Sequence, residues 1–291
     1  MKILVTGGSG FLGSHLAADL RLHHQVEAPA SSELDLMDED AVRSYLASGR
    51  FDAVVHAAGA HANRRLGAPP DLLHRNCRIF LNLARCQDEF GRLVFLSSGA
   101  VYDRRGPVSR MGEDGFDRHV PVDDYGLSKY ICARLIAGWE KFFELRLFAV
   151  FGPHEDFEVR FLSNACCRAV WDLPVTVRRN CTFDYMDVAD LAPVVDWFLQ
   201  AQPRRRAYNV CSGRPLDLVT LADKVVRASG KDLPVKVKES GLGAEYSGDN
   251  RRLLAEMPFR FRDMDESIRS LYHWYEDRKP SIDPGKLHFD A

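Results

Sequence analysis

The sequence predicts an α/β protein, a doubly wound parallel sheet with a smaller C-terminal lobe for substrate. Three observations point to it. Apolar strands alternate with helical stretches through the first half of the chain, a glycine-rich turn joins the first strand to the first helix, and the alternation breaks down after Phe151-Gly152-Pro153. A length of 291 residues suits a nucleotide-sized sheet domain with a lobe attached. The expected division is 1–150 for the sheet domain and 151–291 mainly for the lobe, with a return to the sheet near 184–200.

The elements follow in order. Residues 2–6 are a short apolar run leading into glycines, and residues 11–22 place Phe11, Leu12, Leu16 and Leu20 at helical spacing. The His23-His24 doublet falls where that helix ends, where polar groups complement exposed carbonyls. A second strand at 25–28 precedes an amphipathic helix at 38–46 with acidic residues in its first turn. Strands at 51–58 and 92–97 flank a helix at 72–89. Beyond residue 153, stretches 152–156 and 241–250 read as loops, and 185–199 reads as a strand and helix rejoining the sheet.

Composition narrows the function classes. With 39 basic against 41 acidic side chains the net charge is close to zero, and the basic runs Arg104-Arg105 and Arg204-Arg205-Arg206 lack interleaved aromatics, which argues against nucleic acid. No apolar run approaches the ~20 residues of a membrane span, and strand-like residues begin at Lys2 with no basic leader, so the expectation is a cytoplasmic protein. Seven cysteines without a Cys-x-x-Cys pair argue for reduced, mostly buried thiols and against a zinc site.

The turn Thr6-Gly7-Gly8-Ser9-Gly10-Phe11-Leu12-Gly13 carries the chemistry of the first half. Gly7 permits the tight turn, Gly10 lets the backbone approach a pyrophosphate, and Gly13 lets the helix pack on the sheet. The anion then lies on the free amides where Phe11 and Leu12 open the helix. This makes the sheet a Rossmann-type fold for NADP or NAD. Beyond the second strand the segment Ala28-Pro29-Ala30-Ser31-Ser32 holds neither the acid that binds ribose hydroxyls nor an arginine, which tilts the reading toward NADP with Ser31 and Ser32 on its phosphate; Glu27 lies nearby.

Tyr125-Gly-Leu-Ser-Lys129 opens another helix, and the four-residue separation puts Tyr125 and Lys129 on one face. An ammonium one turn away favours a phenolate and suits the tyrosine to acid/base work. Ser98, at the end of a strand, is placed to hydrogen-bond a substrate oxygen that gains or loses charge as hydride moves. Such a spacing also arises by chance on helices, and it is the coupling to the glycine turn and to Ser98 that favours catalysis.

These residues resemble the extended short-chain dehydrogenase/reductase family, the NAD-dependent epimerases, reductases and dehydratases that modify nucleotide sugars. The resemblance runs through Glu33-Leu-Asp-Leu-Met-Asp38, Val55-His-Ala-Ala-Gly59, Leu96-Ser-Ser-Gly-Ala-Val-Tyr102, Arg146-Leu-Phe-Ala-Val-Phe-Gly-Pro153 and Asp184-Tyr-Met-Asp-Val-Ala-Asp-Leu191. It implies Asp35 and Leu36 against the adenine, Ala57, Ala58 and Gly59 along the dinucleotide, and Asn76 and Phe148 near the nicotinamide. It also implies a homodimer through the helix of Tyr125, where Leu127, Ile131 and Leu135 either offer apolar surface or face the core. Departures narrow the reaction. Gly99-Ala100 stands where the dehydratases carry Asp-Glu, and Ala100 where the GDP-fucose synthases carry a cysteine. Phe183 replaces the arginine that grips a diphosphate, so that either Arg178 or Arg179 substitutes for it or the two are simply exposed loop arginines, and Ala149 replaces a pocket asparagine.

The leading expectation is therefore reduction of a 4-keto sugar or 4-epimerisation of a nucleoside diphosphate sugar. Two readings compete: a reductase of a carbonyl without a nucleotide, and a non-catalytic protein that binds a dinucleotide for regulation.

Overall fold

The computed structural model describes residues 1–61 and 67–287. Strands β1 (Lys2–Thr6), β2 (Gln25–Glu27), β3 (Phe51–His56) and β4 (Phe90–Ser98) come first, interleaved with helices α1 (Phe11–Leu20), α2 (Glu39–Gly49) and α3 (Leu72–Arg85). Then follow β5 (Val108–Met111), α4 (Asp124–Ile136), β6 (Phe142–Leu147), β7 (Ala149–Phe151), α5 (Phe161–Val170), β8 (Val175–Asn180) and β9 (Thr182–Phe183). The chain continues through β10 (Tyr185–Asp187), α6 (Leu191–Gln200), β11 (Ala207–Val210), β12 (Leu216–Asp217) and α7 (Leu218–Ser229). It closes with β13 (Val235–Leu242), β14 (Tyr246–Gly248), α8 (Arg251–Leu254) and α9 (Met264–Glu276).

Six strands form one parallel sheet in the order β11-β6-β4-β3-β1-β2. The chain winds outward in both directions from β1, which opens a crevice beyond the carboxyl ends of β1 and β3. Side chains alternate across the sheet as a two-residue period requires. Ile3 and Val5 pack with Leu16 of α1 and Phe198 of α6 on one face, and Leu4 packs with Leu46, Leu83 and Ile136 of α2, α3 and α4 on the other. A separate apolar cluster joins α5, α7 and α9 over β8, built on Leu162, Cys166, Leu221, Ile268 and Tyr272. All seven cysteines are free thiols, five of them buried.

Several expectations meet a different arrangement. Tyr185–Asp187 does not rejoin the main sheet; it pairs with Ala149–Phe151 in a two-stranded sheet. Helix α6 does pack on the main sheet, and the strand that enters it is Ala207–Val210, hydrogen-bonded along β6. In the other direction, Val108–Met111 leaves the first half to join β12, β9 and β14, so no single cut at 150 separates the two units. The predicted 241–250 loop contains β14. Helix α3 ends at Arg85, and a 3-10 turn at Gln87–Glu89 finishes that stretch. Within the His23-His24 doublet the His24 ring does not cap carbonyls as expected: its Nε2 lies 2.6 Å from Asp196 Oδ1 and ties the end of α1 to α6, and its Nδ1 has no partner.

A buried polar seam locks the lobe strand β5 to the main sheet. Arg146 pairs with Glu144 at 2.8 Å and donates to the Tyr102 hydroxyl at 2.9 Å. Tyr102 donates to Asn209 Oδ1 at 2.6 Å, and Asn209 in turn donates to Glu113 and to the Met111 carbonyl. Each charge in the seam is paired, although the second carboxylate oxygen of Glu144 is buried without a hydrogen-bond partner. Among the described residues no helix is long and apolar enough to cross a membrane.

Candidate active site

The glycine turn is held by its lack of side chains. Gly7 sits at φ 74°, in the left-handed region, and a Cβ there would come 2.7 Å from the Ala58 nitrogen. Gly13 lies against the Gly7 carbonyl, too close for any side chain. Gly10 donates to the Gly7 carbonyl at 2.9 Å and precedes α1, where no side chain caps the helix. The amides of Phe11 and Leu12 therefore open toward the crevice with the positive end of the helix dipole behind them, a ready anion site.

A cleft of about 320 Å³ runs from this turn along the sheet edge, and Gly7, Ser31, Asp35, Leu36, Ala58 and Gly59 line it. Ser9, Met37, Arg75 and Ile79 line it too. Of the sequence candidates for the cofactor, exposed Ser32 is not among the lining residues, and neither are Gly10, Phe11, Leu12, Gly13, Ala57, Asn76, Tyr125, Lys129 and Phe148. Glu27 is engaged elsewhere, by the Lys2 ammonium at 2.9 Å and the Tyr45 hydroxyl at 2.9 Å. Arg75, on α3, is the cation that sequence reasoning missed; its guanidinium is paired with Asp71 at 2.9 Å on the exposed lip. Only its place one helix away from the strand ends would have marked it. A channel with an anion-binding helix end, walls without side chains and an apolar slot at Leu36 and Ile79 fits a dinucleotide.

At the far end of the cleft the polar groups converge. Asn76 accepts from the Ala60 amide at 2.7 Å and donates to the Ala60 carbonyl and to Ser128 Oγ, which fixes its amide. A Cβ on Gly59 would lie 3.5 Å from Asn76 Oδ1 and 3.9 Å from Lys129 Nζ, so all three face one space. Ala57 and Ala58 lead into it; the Ala57 amide donates to the Thr6 carbonyl. His56, beneath, bonds Thr6 Oγ1 at 2.7 Å, and burial with the nearby Lys129 charge pulls it down to about 3. It stays neutral.

The Ser98, Tyr125 and Lys129 set is delivered by two elements. Ser98 ends β4 and accepts the Ala100 amide at 3.2 Å, turning the chain into a 3-10 helix. Asp123 caps α4 through the Gly126 amide at 2.9 Å. Gly126 then lets α4 press on the Ser98 turn, since a Cβ there would sit 2.9 Å from the Ala100 carbonyl. Buried Lys129 donates to the Leu96 carbonyl at 2.9 Å, with its ammonium 5.9 Å from the Tyr125 ring centre and 4.5 Å from that of Phe95. Tyr125 itself is half-buried. The ammonium thus lies between the tyrosine and the space Gly59 leaves open.

The opposite wall is aromatic. Phe148 stacks against Tyr102 and lies 5.1 Å from the Tyr246 ring, and Phe183 lies 6.1 Å from Tyr246 and 5.8 Å from Tyr185. The Tyr246 hydroxyl comes to 3.4 Å from Ser98 Oγ. Tyr246 was hidden in the stretch read as loop. Ala149, half-buried on β7, adds its amide to the Asp184 carbonyl. Arg178 and Arg179 are not brought to this wall by any hydrogen bond or ion pair. They are exposed on β8, where Arg178 pairs with Glu239 of β13 at 2.8 Å. Leu127 and Ile131 on α4 are half-buried and Leu135 is 37 % exposed, so that face is not taken up by the core.

Comparison with known proteins gives the family and the fold. Residues 3–211 match the model of the NAD dependent epimerase/dehydratase family. The UDP-glucose 4-epimerase of Neisseria meningitidis serogroup B is 25% identical over 97% of this chain and 99% of its own length. Among solved structures, the Thermus thermophilus UDP-glucose 4-epimerase in complex with NAD superposes with a TM-score of 0.80 at 25% identity, covering 94% of this chain and 99% of the other. A GDP-mannoheptose C4 reductase from Campylobacter jejuni with NADP bound shares the fold, with a TM-score of 0.83 at 16% identity over 94% and 98% of the two chains.

Proposed function

The chain belongs to the NAD-dependent epimerase/dehydratase family, and from that premise we propose that it moves a hydride at a ring carbon of a nucleoside diphosphate sugar, as a 4-epimerase or a 4-keto-sugar reductase. It is an enzyme that uses NAD or NADP. The observation that carries the reading is that the Lys129 ammonium stands 5.9 Å from the Tyr125 ring centre and faces the space at Gly59, while Gly126 of the same helix presses on the turn that Ser98 opens.

Nicotinamide, when bound, supplies the carbon that takes or gives the hydride. Gly7, Gly10, Gly13, Phe11 and Leu12 would hold the pyrophosphate, Ser31, Asp35 and Leu36 the adenosine, and Ala57, Ala58, Gly59, Asn76, Lys129 and Phe148 the nicotinamide half. Tyr125 exchanges a proton with the sugar hydroxyl, Lys129 holds its ammonium 5.9 Å from the Tyr125 ring centre, and Ser98 donates to the same oxygen. Ala149 borders the sugar. The lobe is the substrate unit, completed by β5 from the first half. A homodimer would use the Leu127, Ile131 and Leu135 face of α4.

Gly99-Ala100 leaves no acid beside Ser98 for eliminating water, which supports hydride chemistry over dehydration. One observation favours the second reading, a carbonyl substrate without a nucleotide: Phe183 and Tyr246 present rings where an arginine would grip phosphate, and Arg178 is neutralised by Glu239.

The test is to identify the dinucleotide released from purified protein, then to measure thermal shifts with NAD, NADP and uridine, thymidine, cytidine and guanosine diphosphates. Stabilisation by one dinucleotide and one nucleoside diphosphate is expected. Retained NAD marks an epimerase, and an empty protein stabilised by NADP marks a reductase. Protection by a dinucleotide with none from any nucleoside diphosphate overturns the nucleotide-sugar reading in favour of the second.

A further inference from the structure

Ser98 has a partner from the far side of the cleft. Tyr246 is carried by lobe strand β14, which pairs with Val108 of β5 and Phe183 of β9. Its ring is seated between Phe148 and Phe183, and its hydroxyl stands 3.4 Å from Ser98 Oγ. The space for it comes from Gly99, the residue after Ser98. A Cβ on Gly99 would come 2.8 Å from both the Tyr246 hydroxyl and the Phe148 ring.

The hydrogen-bond capacity of Ser98 decides what this contact does. A serine hydroxyl has one proton to give and two lone pairs to receive with. The Ala100 amide takes one lone pair at 3.2 Å, and Tyr246 is placed to take the other. We propose that Tyr246 is a positioning residue for Ser98: its phenol donates to Ser98 Oγ, fills the second lone pair, and leaves the Ser98 proton for the substrate oxygen.

Burial pushes the Tyr246 phenol well above its ordinary range, so it is a neutral donor at working pH. A phenol is also the more acidic of the two hydroxyls, which favours this direction of donation. The separation is long for an O–H···O bond, as active-site bonds often are before substrate tightens them. The inference rests on the reading that Ser98 polarises the reacting oxygen.

The experiment compares single-turnover hydride transfer in the wild type, Tyr246→Phe and Gly99→Ala, with the holoenzyme and the nucleotide sugar that the panel above selects. Tyr246→Phe keeps the ring and its packing. Loss of one neutral hydrogen bond predicts a rate lower by about tenfold, with KM and dinucleotide affinity unchanged and only the small drop in thermal midpoint that one lost hydrogen bond brings. Gly99→Ala pushes the hydroxyl away and is expected to give the same loss, with no further loss in the double variant. A full rate in Tyr246→Phe overturns the inference, as does a slower rate that comes with a raised KM and a larger drop in midpoint, the mark of packing alone. Tyr125→Phe run alongside separates the two claims: if it is inactive while Tyr246→Phe is unimpaired, only this inference falls. If no sugar in the panel reacts, urea unfolding of Ser98→Ala, Tyr246→Phe and the double variant reads the contact directly. Non-additive effects are expected, and additive ones overturn it.

Discussion

At Gly7 and Gly59 the cleft takes its shape from main chain without side chains, whereas from Ser98 to Tyr246 the site is built of side chains. The first half is made where one strand turns into one helix, and its shape follows from residues that have no Cβ. The second half is gathered from the end of β4, the first turn of α4, Phe148 and strand β14, which are far apart in sequence. A site of the first kind depends on local backbone geometry and recurs wherever the residues do. A site of the second kind depends on how the lobe docks, so its chemistry can change by moving one aromatic residue while cofactor binding stays as it was.

If that separation is real, substitutions in the two halves give different symptoms. The largest effect is expected from Tyr125→Phe, which removes the proton donor and should lower kcat by about 10²–10⁴ while dinucleotide affinity, read by fluorescence titration, stays the same. Weaker dinucleotide binding in that variant would break the comparison. Gly7→Val is the converse. At φ 74° and 2.7 Å from Ala58, a side chain costs about 1–2 kcal/mol in backbone strain alone and closes the pyrophosphate seat, so dinucleotide binding should disappear in the same titration. Retained binding would show that the turn is not the seat.

A smaller effect sharpens the substrate half. Phe183→Arg places a guanidinium on the aromatic wall, and a charged hydrogen bond to phosphate predicts about tenfold tighter binding of the selected nucleoside diphosphate in calorimetry. No gain would place the phosphate elsewhere.

The smallest effect concerns pH. In the lobe, burial pushes the Glu155 carboxyl up to about 8 against 4.5 for a free one, while it accepts the Ser163 hydroxyl at 2.6 Å. Its contribution to stability is full below about 4.5 and is lost as pH rises toward 8. In the sheet domain, His56 runs the other way: it is held down to about 3 against 6.5, so its contribution is present above 6.5 and lost as pH falls toward 3. Thermal midpoints of Glu155→Gln across pH should flatten the alkaline side of the profile, the decline between about 4.5 and 8, and leave the side below 4.5 unchanged. An unchanged alkaline side would contradict the assignment.

The same contrast explains what the sequence made legible. Gly7, Gly10 and Gly13 announce the turn because strand, glycines and helix are contiguous, and Tyr125 with Lys129 announces a shared face because helix spacing is local. Strand β11 was hidden because it buries Asn209 at 0% exposure beside Arg204 to Arg206. That asparagine is satisfied by Tyr102, Glu113, Met111 and Asp249, none of them near it in sequence. Tyr246 was hidden for a similar reason. A three-residue strand has little periodicity, and its neighbours Val108 and Phe183 lie far away along the chain. Arg178 and Arg179 show the reverse: two cations near a gap in a motif suggested a phosphate grip, but the ribbon turns them outward and Glu239 neutralises one.

The most direct test of the central claim is to mix dinucleotide-loaded wild-type protein with nucleoside diphosphate sugars and follow the absorbance band of reduced nicotinamide. A sugar-dependent change in that band, absent in Tyr125→Phe, is what hydride transfer at the Ser98, Tyr125 and Lys129 site predicts. A protein that binds both ligands yet never changes the band with any sugar, or a Tyr125→Phe variant that changes it as fast as the wild type, would contradict the account.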